Sequence, residues 1–218
     1  MKIFVKNSIK RRIQGLHCCI IPFIPVIVSC VFLQCSSIGT GRTQGAGSQM
    51  SDSERFASEY PMVGSDNVFV YRNAEEIANI LSYGTGIVYI GFKECPWCQT
   101  YAVFLNDAAR EMGVEEIFYL DIREDRENNS ESYRRIVAIL DGHLQYDNEG
   151  RPRVYVPDLT IVNGGMVMFR DYETSYDTLG YRTPEEYWND ERVNSLLERF
   201  RAGFRNFNSI FNRTCNIC

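Results

Sequence analysis

A chain of 218 residues holds one mid-sized domain or two small ones, and its 44% hydrophobic and 13% aromatic content argues against a wholly disordered protein. The formal charge is −5, but Lys2, Lys6, Lys10, Arg11 and Arg12 sit in a leading segment without acids, which leaves 18 basic against 28 acidic residues in the remainder. Such an acidic body repels phosphate backbones and argues against nucleic acid as a partner, while eight cysteines gathered in groups argue against a small disulfide-stapled scaffold.

In chain order, residues 1–12 are basic, and the run from Ile13 to Leu33 carries no charged side chain at neutral His over a length able to cross about 30 Å of hydrocarbon. The positive-inside bias keeps the basic end in the cytoplasm and delivers the rest to the outer face of the cytoplasmic membrane. Ile27-Val28-Ser29-Cys30 resembles a bacterial lipoprotein lipobox, which implies lipidation of Cys30; an uncleaved single-span anchor is the alternative. Residues 1–35 are therefore read as signal peptide or membrane anchor. Residues 36–66, which open as a Gly- and Ser-rich stretch, are read as a flexible tether.

The domain proper is expected over residues 67–211. Asn67–Tyr71 is β-branched and aromatic, and Asn73 caps a helix with Ala74, Ile77, Ala78 and Leu81 on one stripe. Ile87–Phe92 is a continuous apolar run, as expected of a central strand buried on both faces. From Cys98 the stripe Tyr101, Ala102, Leu105, Ala108, Ala109 and Met112 predicts an amphipathic helix ended by Gly113, followed by a strand over Glu116–Ile122. A charged insertion, 123–153, holds a short helix over Ser132–Leu140 and a polar loop, and is placed to shape a partner surface. Val154-Tyr-Val-Pro157 precedes strands 158–162 and 166–169 joined by Asn163-Gly-Gly165, which has hairpin turn chemistry. Thr183-Pro184 then starts one last helix, continued by Phe200, Phe204, Phe207 and Phe211, with 212–218 as a short tail. The order predicts an α/β fold with a mixed sheet flanked by helices.

The buried strand leading into Cys95-Pro96-Trp97-Cys98, the helix after it, and Val156-Pro157 before a hairpin together resemble the thioredoxin superfamily over about residues 67–204. The resemblance implies a thioredoxin-like fold, Cys95 as attacking thiol, Cys98 as resolving thiol, and Val156-Pro157 as a cis-proline loop that pairs with substrate. Independently of the family, a Cys at a helix start has its thiolate favoured by the dipole and by free backbone N–H groups. Trp97 offers an apolar face to a peptide substrate. Two positions depart from the family pattern: Tyr89 stands where thioredoxins carry a buried Asp, and Glu94 precedes the nucleophile. With its lipoprotein-like start the chain also resembles bacteriocin-transport accessory and thioredoxin-like lipoproteins.

The expected activity is thiol–disulfide exchange on exported proteins or peptides, with a membrane redox partner and no cofactor or metal. A non-catalytic binding module for a secreted peptide is the alternative. Cys215 and Cys218 form a second C-x-x-C at the chain end, read either as an inert end-loop disulfide or as a second redox pair. For Cys95 and Cys98 a structural disulfide or half a zinc site is the competing reading, and for Pro157 an ordinary trans proline.

Overall fold

The computed structural model of the chain describes residues 50–215. The signal or anchor segment 1–35 with Cys30, the first part of the tether, and Cys218 lie outside the described residues.

Residues 52–66 are not a tether. Helix α1 (Asp52–Glu59) opens on a capping box in which Ser51 Oγ accepts the Glu54 N–H at 3.3 Å and Glu54 Oε2 accepts the Ser51 N–H at 2.9 Å. It buries Phe56 fully, as the following turn buries Tyr60. Two aromatics in a polar stretch leave little periodicity to read, yet both rings seat on the sheet, Phe56 stacked 3.9 Å from Phe69 and edge-on to Tyr119 at 5.0 Å.

Strand β1 (Phe69–Tyr71) follows, then α2 (Ala74–Tyr83), capped by Asn73 as expected, and β2 (Gly86–Gly91), buried at every position. Helix α3 (Pro96–Glu111) leads to β3 (Ile117–Asp121). The charged insertion is folded: α4 (Arg123–Glu127), α5 (Glu131–Ile139) and a two-stranded ribbon of β4 (Gln145–Tyr146) and β5 (Pro152–Arg153). Asp147 Oδ1 closes the ribbon's turn by accepting the N–H groups of Glu149 and Arg151, each at 2.9 Å.

The hairpin joins β6 (Asp158–Asn163) to β7 (Met166–Asp171) through Gly164 and Gly165, both at positive φ (56° and 79°), as a two-residue turn of this hand requires. Gly165 also leaves no room for a side chain, since a Cβ there would lie 2.0 Å from the Ser82 carbonyl oxygen. The main sheet runs β1-β3-β2-β6-β7, with β1, β3 and β2 parallel and β6 and β7 antiparallel.

The sheet is covered on both sides. Phe69, Tyr89, Tyr119 and Ile161 face α1, α3 and α7, while Phe118 faces α2, against which α5 packs. The result is an α/β domain with a five-stranded mixed sheet flanked by helices.

One helix was expected from Thr183; two form. Helix α6 (Pro184–Tyr187) stops because Trp188 turns extended to lie edge-on to Phe104 at 5.4 Å, and Asn189 Oδ1 accepts the Arg192 N–H at 2.9 Å as the cap of α7 (Asp190–Cys215). The tail expected from residue 212 is helical as far as Cys215. Among the described residues no helix is long and apolar enough to cross a membrane.

Candidate functional site

The C-terminal end of β2 feeds a tight loop in which the Cys95 N–H donates to the Phe92 carbonyl at 3.1 Å, and α3 starts at once. Pro96 occupies the first turn, where its missing N–H forfeits no bond. Cys95 is the cap itself: its Sγ accepts the Cys98 N–H at 3.2 Å, in the place of the usual hydroxyl or carboxylate oxygen. Gln99, one residue on, ties the loop down by donating from Nε2 to the carbonyls of Lys93 at 2.7 Å and Glu59 at 2.8 Å. Helix α1 thus braces the loop from behind.

The two thiols differ. Cys95 retains 7% exposure while Cys98 has none, and both are free. A hydrogen bond from the Cys98 side chain holds the Cys95 thiol below its ordinary value; burial opposes this, and the backbone N–H groups of Cys98 and Trp97 and the charge of Arg126 assist. Cys98 is pushed the other way, by burial first and by Cys95 next. Iodoacetamide is expected to label Cys95 ahead of Cys98, because the Cys95 thiolate is favoured and that of Cys98 is not. Mass mapping after a brief pulse checks this, and faster labelling of Cys98 would reverse the roles.

Beneath the thiols lies a layer of tyrosines. Tyr89 donates from its hydroxyl to the Cys98 carbonyl at 3.0 Å and stacks on Tyr101 with centroids 5.9 Å apart; the Tyr60 and Tyr119 hydroxyls bond to each other at 2.9 Å. Burial raises the pKa of all four, so they are neutral hydroxyls at physiological pH. Tyr89 thus satisfies a helix carbonyl and leaves Cys98 without a carboxylate base at that position. Glu94 does not oppose the thiolate from within the site, because it turns outward, half exposed, to pair with Arg123 at 2.7 Å.

Cys95 opens into a cleft of about 450 Å³ lined also by Phe92, Arg126, Arg153, Tyr155 and Val156. Of the residues singled out in the sequence, Cys95 and Val156 meet there. The Val156–Pro157 peptide is cis, but Pro157 is buried and does not line the cleft. Trp97 does not line it either: half-buried, it lies edge-on to Tyr187 at 5.8 Å. Cys215 is the last residue of α7. Among the described residues no group of three or more His, Cys, Asp or Glu side chains is arranged to hold a metal ion.

The residues that sequence reasoning missed are Phe92, Arg126, Arg153 and Tyr155. For the two arginines the signal was the charged insertion, whose arginines and acids alternate so closely that their pairings cannot be assigned without the fold; Phe92 and Tyr155 flank motifs that were read, the end of the buried strand and the residue before Val156. No known protein family, curated protein or solved structure matches this chain.

Proposed function

We propose that this chain is a thioredoxin-like thiol–disulfide oxidoreductase, held at the outer face of the cytoplasmic membrane by its N-terminal segment and acting on exported proteins or peptides. The observation that carries the reading is the unlike pair at the start of α3: a thiol with a favoured thiolate at the mouth of a cleft, and a buried thiol one turn further on. A mixed sheet with this pair just beyond its central strand is compatible with that architecture.

The exchange has two steps. The Cys95 thiolate attacks one sulfur of a substrate disulfide; a Cys95–substrate S–S bond forms, the substrate S–S bond breaks, and the other substrate sulfur departs as a thiolate. Cys98 then loses its proton and attacks the Cys95 sulfur, forming the Cys95–Cys98 disulfide and releasing the second substrate sulfur. Two electrons pass from the dithiol to the substrate, and the reverse sequence oxidises a substrate dithiol. Which way it runs in the cell depends on the reduction potential of the pair.

Insulin reduction or oxidation of a dithiol peptide tests the reading. Cys95→Ser should fall to background, and Cys98→Ser should accumulate a mixed disulfide through Cys95. Wild-type protein with no exchange activity in either direction would leave the binding-module alternative.

A further inference from the structure

The cleft beside Cys95 gathers three arginines, Arg126, Arg151 and Arg153, against two carboxylates, Asp147 and Glu149. Arg126, on α4, is half-buried, with its Nη1 3.5 Å from the Val154 carbonyl oxygen and its guanidinium 5.4 Å from the centre of the Phe92 ring. Arg153, on β5, lies 5.7 Å from the centre of the Tyr155 ring. Neither has a carboxylate partner among the described residues. Arg151 beside them shows what neutralisation looks like here, paired with Asp147 at 3.0 Å and Glu149 at 2.8 Å.

Arg126 and Arg153 are close enough to repel, and burial together with that repulsion lowers the pKa of Arg126. Holding two like charges together in a partly desolvated wall is unfavourable unless an anion arrives to bridge them. The Cys95 thiolate answers Arg126 only in part, as Cys95 is one of its weaker influences. A second cleft of about 350 Å³ adjoins the first, shares Arg126, Asp147, Arg151 and Arg153 with it, and extends along α5 to Tyr133 and Val137. A chain entering at Cys95 and continuing into the second cleft would cross the arginine pair.

On the basis of the exchange reaction proposed above, we propose that Arg126 and Arg153 select the substrate: the disulfide presented to Cys95 carries a carboxylate within a few bonds of its reacting sulfur. Two sources share that chemistry, an Asp or Glu beside a peptide cysteine and the carboxylates of a small γ-glutamyl thiol. The guanidinium pair binds the carboxylate while Phe92, Tyr155 and Val156 take the apolar part, and the carboxylate sets the register that brings the disulfide to Sγ of Cys95.

Three peptide disulfides identical except for Glu, Gln or Lys beside the cysteine, together with glutathione disulfide, test this on the full chain. The expected order of kcat/KM is Glu over Gln over Lys, with roughly a tenfold span between the extremes at low salt that narrows as salt is added. The Arg126→Gln/Arg153→Gln variant should bring the Glu-to-Lys ratio towards one, whereas Arg126→Lys/Arg153→Lys should keep the order. Any influence of Arg126 on the Cys95 thiolate affects all three peptides alike and cancels in the ratio. Dependence on the arginine pair for the Glu peptide alone assigns a peptide source, and for glutathione disulfide alone a small thiol; dependence for neither overturns the proposal.

Binding of the same three peptides with the cysteine S-methylated, followed by calorimetry, reads the anion site without chemistry. A preference for Glu that the double Gln variant loses, in a protein that exchanges no disulfide, would sink the oxidoreductase reading and leave the anion site standing. Exchange without any Glu preference would do the opposite.

Discussion

Arg170→Met is expected to cost the domain about 3–5 kcal/mol in urea unfolding at neutral pH, because it strands a charge in the sheet. Asp158, at the start of β6, is fully buried, and Arg170 on β7 pairs with it while retaining only 8% side-chain exposure. The Thr160 hydroxyl adds a bond to the same carboxylate at 2.8 Å, and Arg170 also donates to the His143 carbonyl, fastening the insertion to the sheet. Burial raises the pKa of Asp158, and Arg170 is the main influence restraining it.

The sign of the pH effect follows. A group with a raised folded pKa contributes stability that is fully present below the unfolded value of about 3.9 and is lost as pH rises through the folded value. Removing Arg170 moves the folded value of Asp158 higher still. The deficit of the variant should therefore shrink as pH is lowered from 7 towards 4, and Asp158→Asn introduced into Arg170→Met should recover more than half of it at pH 7. A deficit below about 1 kcal/mol, the size of a surface pair, or one indifferent to pH, would show that this pair is not the buried anchor of the hairpin. The consequence reaches the site, since Asp158 pairs with Ile90 next to Pro157 and fixes the strand that presents Val156 to the cleft.

The part of this architecture legible in the sequence is the part made of local signals. The apolar run of β2, Pro96 at a helix start and the cysteines around it placed α3 with both thiols at its start; Asn163-Gly-Gly165 marked the hairpin because its turn needs two residues at positive φ. What escaped depended on contacts between distant residues. Trp188 sits within a stretch that reads as continuous helix, and it breaks that helix only because Phe104 and Tyr187 receive its ring. The contact of Trp97 with Tyr187, ninety residues away, likewise has no local sign. In the insertion, Arg151 is neutralised by neighbours two and four residues away, but Arg126 and Arg153 become a pair only when α4 and β5 meet at the Cys95 cleft.

Phe56→Ala is expected to lower stability by about 3–5 kcal/mol, the range for a large aromatic removed from a core that cannot close around the gap. The ring is fully buried, stacked between Phe69 at 3.9 Å and Tyr60 at 4.3 Å, with Tyr119 and Tyr71 edge-on to it. These neighbours belong to two strands and a turn, so they cannot all move inward. The Ser51–Glu54 capping box was the one local sign that a helix starts here, since Ser-x-x-Glu satisfies two backbone donors at once. Loss of the ring should also be felt at the thiols: α1 ends in the Glu59 carbonyl that holds Gln99, and Gln99 in turn holds the loop before Cys95. Loosening α1 should therefore raise the alkylation rate of the buried Cys98 in the folded variant, measured at a temperature well below its unfolding transition. A loss under about 1 kcal/mol, with Cys98 as protected as in the wild type, would instead mean that residues 52–59 only rest on the domain and belong with the tether.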